Sequence, residues 1–372
     1  MIRLAKACAA ALLLATPLGA GAAEGEAEAE RSWASRLFAD WSVRPYAAAQ
    51  MAQTGDTAYV ATREGRLFAV APDSGAVRWS RKLGNRLSGG PSIGEDGRLY
   101  VGDDEGQVWS LAPDTGETYW RSEVSSEVVT APGLGGGMVL VRTADDALWA
   151  LRANDGGVRW SFQVEGPSLA LRGASEPVYR GGVVYAGFAT GELIALDGSD
   201  GSPAWRQRIA TPSGRTDLER MVDVDAEPVV LEDRLIAAAY NGAVVALSRE
   251  TGREQWKRDL SVFSNPVVVG DRVFVTTTKG QVTALDLNSG GTVWTQKGLV
   301  DAATLSAPVV TGEYLAVGDG QGRVTWLHQD SGQVAARLDL ALSAIHGTPL
   351  ALDGGGLLAL SDEGTLSRLY LE

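Results

Sequence analysis

Carboxylates are the only chemically active side chains this sequence supplies in number. Its 372 residues hold two histidines, His328 and His346, and a single cysteine, Cys8. No thiol pair can cycle, no Cys/His set can close around zinc, and no cysteine–histidine couple can be built. The formal net charge of −13 argues against a phosphate-binding surface, and so against nucleic acid as a partner. Two polar segments stand out. One runs from Arg215 through Asp217, Glu219 and Arg220 to Asp223-Val224-Asp225; the other is Gly166 to Gly173, with Leu169, Leu171 and Arg172. Asp223 and Asp225 could begin a cation site, but no further oxygen ligands follow at a defined spacing. Two readings stay open. Leu169 and Leu171 cap an apolar core while the charges are solvated or paired, or the segments form a protein-docking patch of apolar anchors with a charged rim.

The elements that position these segments are set by a repeat. The unit reads G-x-[LV]-x-A-[LV], then a polar turn ending in Gly, then three residues and Trp. It runs from Gly65/Gly75/Trp79 through Gly106/Gly116/Trp120 and Asp146/Gly156/Trp160, where Asp146 replaces the first Gly. Copies follow at Gly191/Gly201/Trp205, Gly242/Gly252/Trp256 and Gly280/Gly290/Trp294. A seventh, Gly322/Gly332, carries Ala336 in place of Trp, and an eighth begins at Gly364. The 46 glycines exceed the about 26 of average usage and supply the positive φ of hairpin turns. Alternation such as Leu67-x-Ala69 is strand period. A proline at 91, 132, 177, 228, 266, 308 and 349 precedes a β-rich run in each unit, which suits the first residue of a strand. Eight four-stranded antiparallel units arranged radially make an all-β, eight-bladed β-propeller.

Spacing locates the departures. From the unit Trp to the next Pro the chain takes 12 residues after Trp79 and Trp120, but 17 after Trp160 and 23 after Trp205. The two polar segments are therefore insertions in adjacent connections from an outermost strand to the next innermost one. Those connections share a face of the disc with the turns between second and third strands.

The termini complete the expected organisation. Arg3 and Lys6, the apolar run Ala7 to Ala15, and small residues at 20–23 form the pattern of a secretory signal peptide over 1–23. Its removal takes away the only cysteine. Residues 24–40 then read as an acidic flexible tether and 41–372 as the propeller. Asp40-Trp41-Ser42-Val43 resembles Arg78-Trp79-Ser80-Arg81. It is expected to supply the strand missing from the last unit, closing the ring and removing an open sheet edge.

With these residues in view, PSLALRGASEP (167–177), GGVVYAGFATGELIAL after it, and RMVDVDAEPVV (220–230) resemble the BamB family of outer-membrane assembly factors. The resemblance implies an eight-bladed propeller that acts without catalysis or cofactor in the β-barrel assembly (BAM) complex. It implies docking on the periplasmic POTRA domains of BamA through Leu169, Leu171, Arg172, Asp223 and Asp225, with unfolded β-barrel precursors as a second class of partner. The family is usually lipidated, whereas here Cys8 follows Ala5-Lys6-Ala7 at the start of the apolar run and no lipobox is formed. The expectation is an exported chain held at the periplasmic face of the outer membrane through the complex. The competing classes are a pyrroloquinoline-quinone dehydrogenase and a generic periplasmic binding propeller. Those dehydrogenases resemble the blade repeat but carry a vicinal cysteine pair and a calcium-binding carboxylate set.

Overall fold

The structure, a computed structural model, describes residues 27–37, 50–84, 86–166, 175–212, 215–216, 222–262, 264–299, 305–340, 343–345 and 347–372. Among the described residues every regular element is a strand. The strands form eight four-stranded antiparallel sheets, seven in simple chain order and one composite. In chain order the blades span 50–82, 87–123, 133–163, 178–208, 229–258, 267–296 and 309–339. Blade 8 combines 350–371 with an N-terminal strand. The second and third strands of each blade are buried almost throughout, as in Met138–Arg142, whereas the fourth alternates exposed and covered residues. The core is thus a ring of apolar layers between neighbouring blades, such as that joining Leu193 and Ala195 to Leu235 and Ala237.

The repeated Trp and Gly explain each other. Each fourth-strand Trp lies over the next blade's turn glycine. A Cβ on Gly201, Gly252 or Gly290 would come within 2.6 Å of Trp160, Trp205 or Trp256, respectively. Seven Trp indole N–H groups, from Trp33 to Trp294, donate to a carbonyl of that same turn at 2.8–3.1 Å. The glycine therefore serves two needs at once, a positive φ and room for the ring. Ala336 fits the same logic. The blade it faces takes its fourth strand from the N-terminus, has no hairpin there, and presents no glycine step for a Trp to cover. Gly290→Ala should lower stability by about 2–4 kcal/mol, combining backbone strain at φ 66° with displacement of Trp256. Gly312→Ala, at φ 59° with open space around it, should lose only about 1 kcal/mol. Denaturant midpoints of the two variants check the difference.

Closure comes from the N-terminus, but from a different segment than expected. The strand that completes blade 8 is Ala29–Arg36, running antiparallel to Thr365–Leu371 from Ala29↔Leu371 to Arg36↔Thr365. Trp33 takes the repeated place in the Trp series, over Gly75 of blade 1; Trp41 lies outside the described residues. Part of the expected tether is therefore blade. An outermost strand needs one covered face only, so its acidic and basic residues remain in solvent while Trp33 packs inward.

Candidate functional site

The described ends of the elongated connections lie beside second-to-third-strand turns, Val164 donating its N–H to the Asp146 carbonyl at 3.4 Å. Asp223 forms an isolated bridge with Tyr240, whose N–H donates to the Asp223 carbonyl at 2.9 Å, next to the second strand of blade 5. Val224 is fully buried against Gly187 at the end of a blade 4 strand, where a Cβ would collide with the Val224 carbonyl. The same notch recurs at Gly102 with Val128 and at Gly318 with Ile345. Once Val224 is seated, an extended backbone turns Asp223 and Asp225 together to the opposite side. This is how a polar loop delivers two carboxylates to one place.

Both are more enclosed than a solvated rim would be. Asp223 is 3% exposed and Asp225 half-buried. Asp223 Oδ2 and Asp225 Oδ1 are buried with no hydrogen-bond partner. Burial, followed by the charge of Asp225 and the hydrogen bond between them, pushes the Asp223 carboxyl up to about 9. Burial pushes Asp225 up to about 6, while its hydrogen bond with Asp223 and the Arg142 guanidinium draw it down. Burial thus disfavours a full negative charge on both carboxyls at once. Leu169, Leu171 and Arg172 lie outside the described residues, so only the aspartate half of the expected patch is placed.

Sequence reasoning missed Arg142, Asp146 and Phe188. Arg142 ends the second strand of blade 3, is 2% exposed, and donates from Nη2 to Asp146 Oδ1 at 2.6 Å. Its guanidinium carbon lies 4.2 Å from the centre of the Phe188 ring in the next blade. The signal was available as a break in the repeat. Asp146 holds φ 61° where most other blades have Gly, and Phe188 stands where Thr62, Asp103 and Asp319 cap their turns with a side-chain oxygen. Elsewhere, a cavity of about 560 Å³ is lined by the first-strand residues Val229, Val267 and Val309 and by Pro266 just before its strand, with Glu227 and Asn265 at its wall. Asn265 donates to the Glu227 carboxylate at 3.2 Å. Among the described residues no cluster of three or more histidine, cysteine or acidic side chains could hold a metal ion.

The fold and the paired insertions define a minimal eight-bladed propeller of the quinoprotein-like type, with a buried acidic pair on one face. A family model described as "Outer membrane protein assembly factor BamB" matches residues 63–296 and 243–368, and the chain belongs to that family. It is 36% identical over 184 residues to the outer membrane protein assembly factor BamB of Nitrosomonas eutropha, covering 50% of this chain and 44% of that one. With the Vibrio cholerae protein of the same name it shares 41% over 196 residues, 52% and 50% of the two chains. The chain thus spans about half the length of the curated relatives it matches. The crystal structure of BamB from Moraxella catarrhalis superposes with a TM-score of 0.81 at 26% identity, over 92% of this chain and all of that one. A quinohemoprotein alcohol dehydrogenase from Pseudomonas putida superposes at 0.72 with 12% identity, over 92% and 75% of the two chains, a likeness of fold alone.

Proposed function

We propose that this chain is a non-catalytic scaffold subunit of the outer-membrane β-barrel assembly complex. It docks on the POTRA domains of BamA through its two elongated connections, with Leu169, Leu171 and Arg172 on one and Asp223 and Asp225 on the other. In that position it assists the folding and insertion of β-barrel proteins. The observation that carries the reading is the local one: two adjacent insertions in an otherwise minimal repeat, one of which presents two buried carboxylate oxygens without a hydrogen-bond partner, Asp223 Oδ2 and Asp225 Oδ1. Membership of the BamB family supports the same role. Residues 1–23 act as an export signal, and the mature chain is held at the periplasmic face of the membrane through its complex.

The test is binding of the full mature chain to the purified POTRA domains of BamA from the same organism. Saturable binding is expected, weakened by Asp223→Asn/Asp225→Asn, which keeps the volume of the buried pair and a cooperative melt. A correctly folded chain that shows no association would overturn the assignment.

A further inference from the structure

The cavity of about 560 Å³ lies on the axis of the disc, lined by the first strands of blades 4 to 7 and by Thr348 ahead of blade 8. Side-chain size sets its position. Between blades 3 and 4 the backbones abut, and a Cβ on Gly133 would come within 1.8 Å of the Pro177 carbonyl. Val178, Val229, Val267 and Val309 stand where blade 3 has Gly133, directly after the repeated proline, and all four line the cavity. Their bulk holds these first strands apart.

Polar groups gather on one side of that apolar wall. The residue before the repeated proline is Glu176 in blade 4, Glu227 in blade 5 and Asn265 in blade 6, whereas the four other prolines follow Gly, Ala or Thr. Asn265 clamps blade 5 to blade 6. Its Nδ2 donates to Glu227 Oε2 at 3.2 Å, and its Oδ1 accepts the Glu227 backbone N–H at 2.9 Å. Glu227 Oε1 is left without a protein donor among the described residues, and so is the Glu176 carboxylate. Burial, with the charge of Glu227, pushes the Glu176 carboxyl well above its usual range, and burial pushes Glu227 the same way. The described lining includes no lysine, arginine or histidine to offset them. Arg180, at the end of the blade 4 strand, is spent on the Val230 carbonyl at 2.8 Å.

We propose that this axial cavity is a binding site for a primary ammonium carried on a short alkyl stem, with Glu176 and Glu227 as its counter-charges. The site shares no residue with the docking patch and does not rest on that reading. An ammonium offers three N–H donors and no acceptor, which suits two carboxylates that lack donors. The valines and prolines cover the stem, as in small-molecule sites that are mostly apolar with a few placed polar groups. A divalent cation is the poorer occupant. It takes about six to eight oxygen ligands, and the described residues hold no cluster of three or more acidic or other metal-ligating side chains.

The experiment is titration of the full mature chain, carrying isotope-labelled valine methyls, with n-butylammonium, butanol and butyrate at constant ionic strength. Butylammonium should shift Val178, Val229, Val267 and Val309 saturably, and affinity should rise about fourfold per methylene from ethyl- to butylammonium. Butanol and butyrate should leave those methyls unmoved at the same concentrations. Glu227→Gln keeps the side-chain volume and should weaken butylammonium about tenfold or more. It should melt at or above wild type, because a raised folded value means that wild-type stability declines as pH climbs above the ordinary 4.5. Glu176→Gln, which breaks no hydrogen bond, is the second variant and carries the same expectation. A peptide with one lysine, set against its Nε-acetylated form, identifies the source. Binding tighter than that of butylammonium places the ammonium on a protein, and weaker binding makes it a free amine. Equal responses to butylammonium and butanol, shifts confined to methyls outside the cavity, or undiminished binding in both glutamine variants would overturn the proposal and leave the docking reading untouched.

Discussion

A mature chain lacking residues 24–37 should fail to fold cooperatively and should associate through blade 8. Ala29–Arg36 is the fourth strand of that blade and touches three blades at once. It pairs along Thr365–Leu371, its Arg31 guanidinium donates to the Leu340 carbonyl beyond blade 7 at 3.0 Å, and Trp33 donates to Pro72 of blade 1 at 3.0 Å. The Trp33 ring also covers Gly75 and packs with Leu37 against Ala58, Val60 and Leu358. Without the strand, Thr365–Leu371 becomes an open edge and the apolar layer between blades 8 and 1 is uncovered. Trp33→Ala removes only the anchor and should cost about 3 kcal/mol. A deletion confined to residues 24–26 should be silent. Thermal melts with size-exclusion chromatography distinguish the three. A chain starting at residue 38 that melts as sharply and elutes as a monomer would show that closure does not depend on this strand.

The architecture was legible because it is written eight times. Period-2 alternation, the turn glycines and the prolines at strand starts are local signals, and repetition makes each one check the others. What escaped was context. Trp33 and Trp41 each precede a small residue, Ala34 and Ser42, and only the pairing with Thr365–Leu371 chooses between them. The acidic surroundings of Trp33 suggested a tether, yet an outermost strand tolerates charge on its open face. At the site, the spacing found the insertion that holds Asp223 and Asp225 but not their burial. That depends on Val224 finding the notch at Gly187, a contact between segments 37 residues apart. Asp146 was visible as a missing glycine. Arg142 was not, since a strand-end arginine looks solvent-facing until the neighbouring Phe188 is in view.

Replacing Leu169 and Leu171 by alanine should weaken binding to the POTRA domains several hundred-fold while leaving the melting temperature within a degree or two of wild type. The expectation follows from the insertion itself. Three other connections seat their blades with one apolar residue in a glycine notch, Val128 at Gly102, Val224 at Gly187 and Ile345 at Gly318. A connection longer by five residues than those after Trp79 and Trp120 has apolar side chains beyond that structural need. On the docking reading, the area that Leu169 and Leu171 bury comes from the partner. A fully buried leucine contributes roughly 1.5–3 kcal/mol, so two together correspond to several hundred-fold in affinity or more. If instead they cap the core between blades, the same substitutions open a cavity, lower the melting temperature by several degrees, and affect binding only through unfolding. Arg172→Lys refines the comparison. A bidentate fork to a partner carboxylate is lost while the charge is kept, so affinity should fall without any change in melt. Melting curves and affinities measured on the same preparations decide between the two readings. Unchanged affinity in a folded Leu169→Ala/Leu171→Ala chain would remove this connection from the interface and leave the aspartate cluster to account for docking alone.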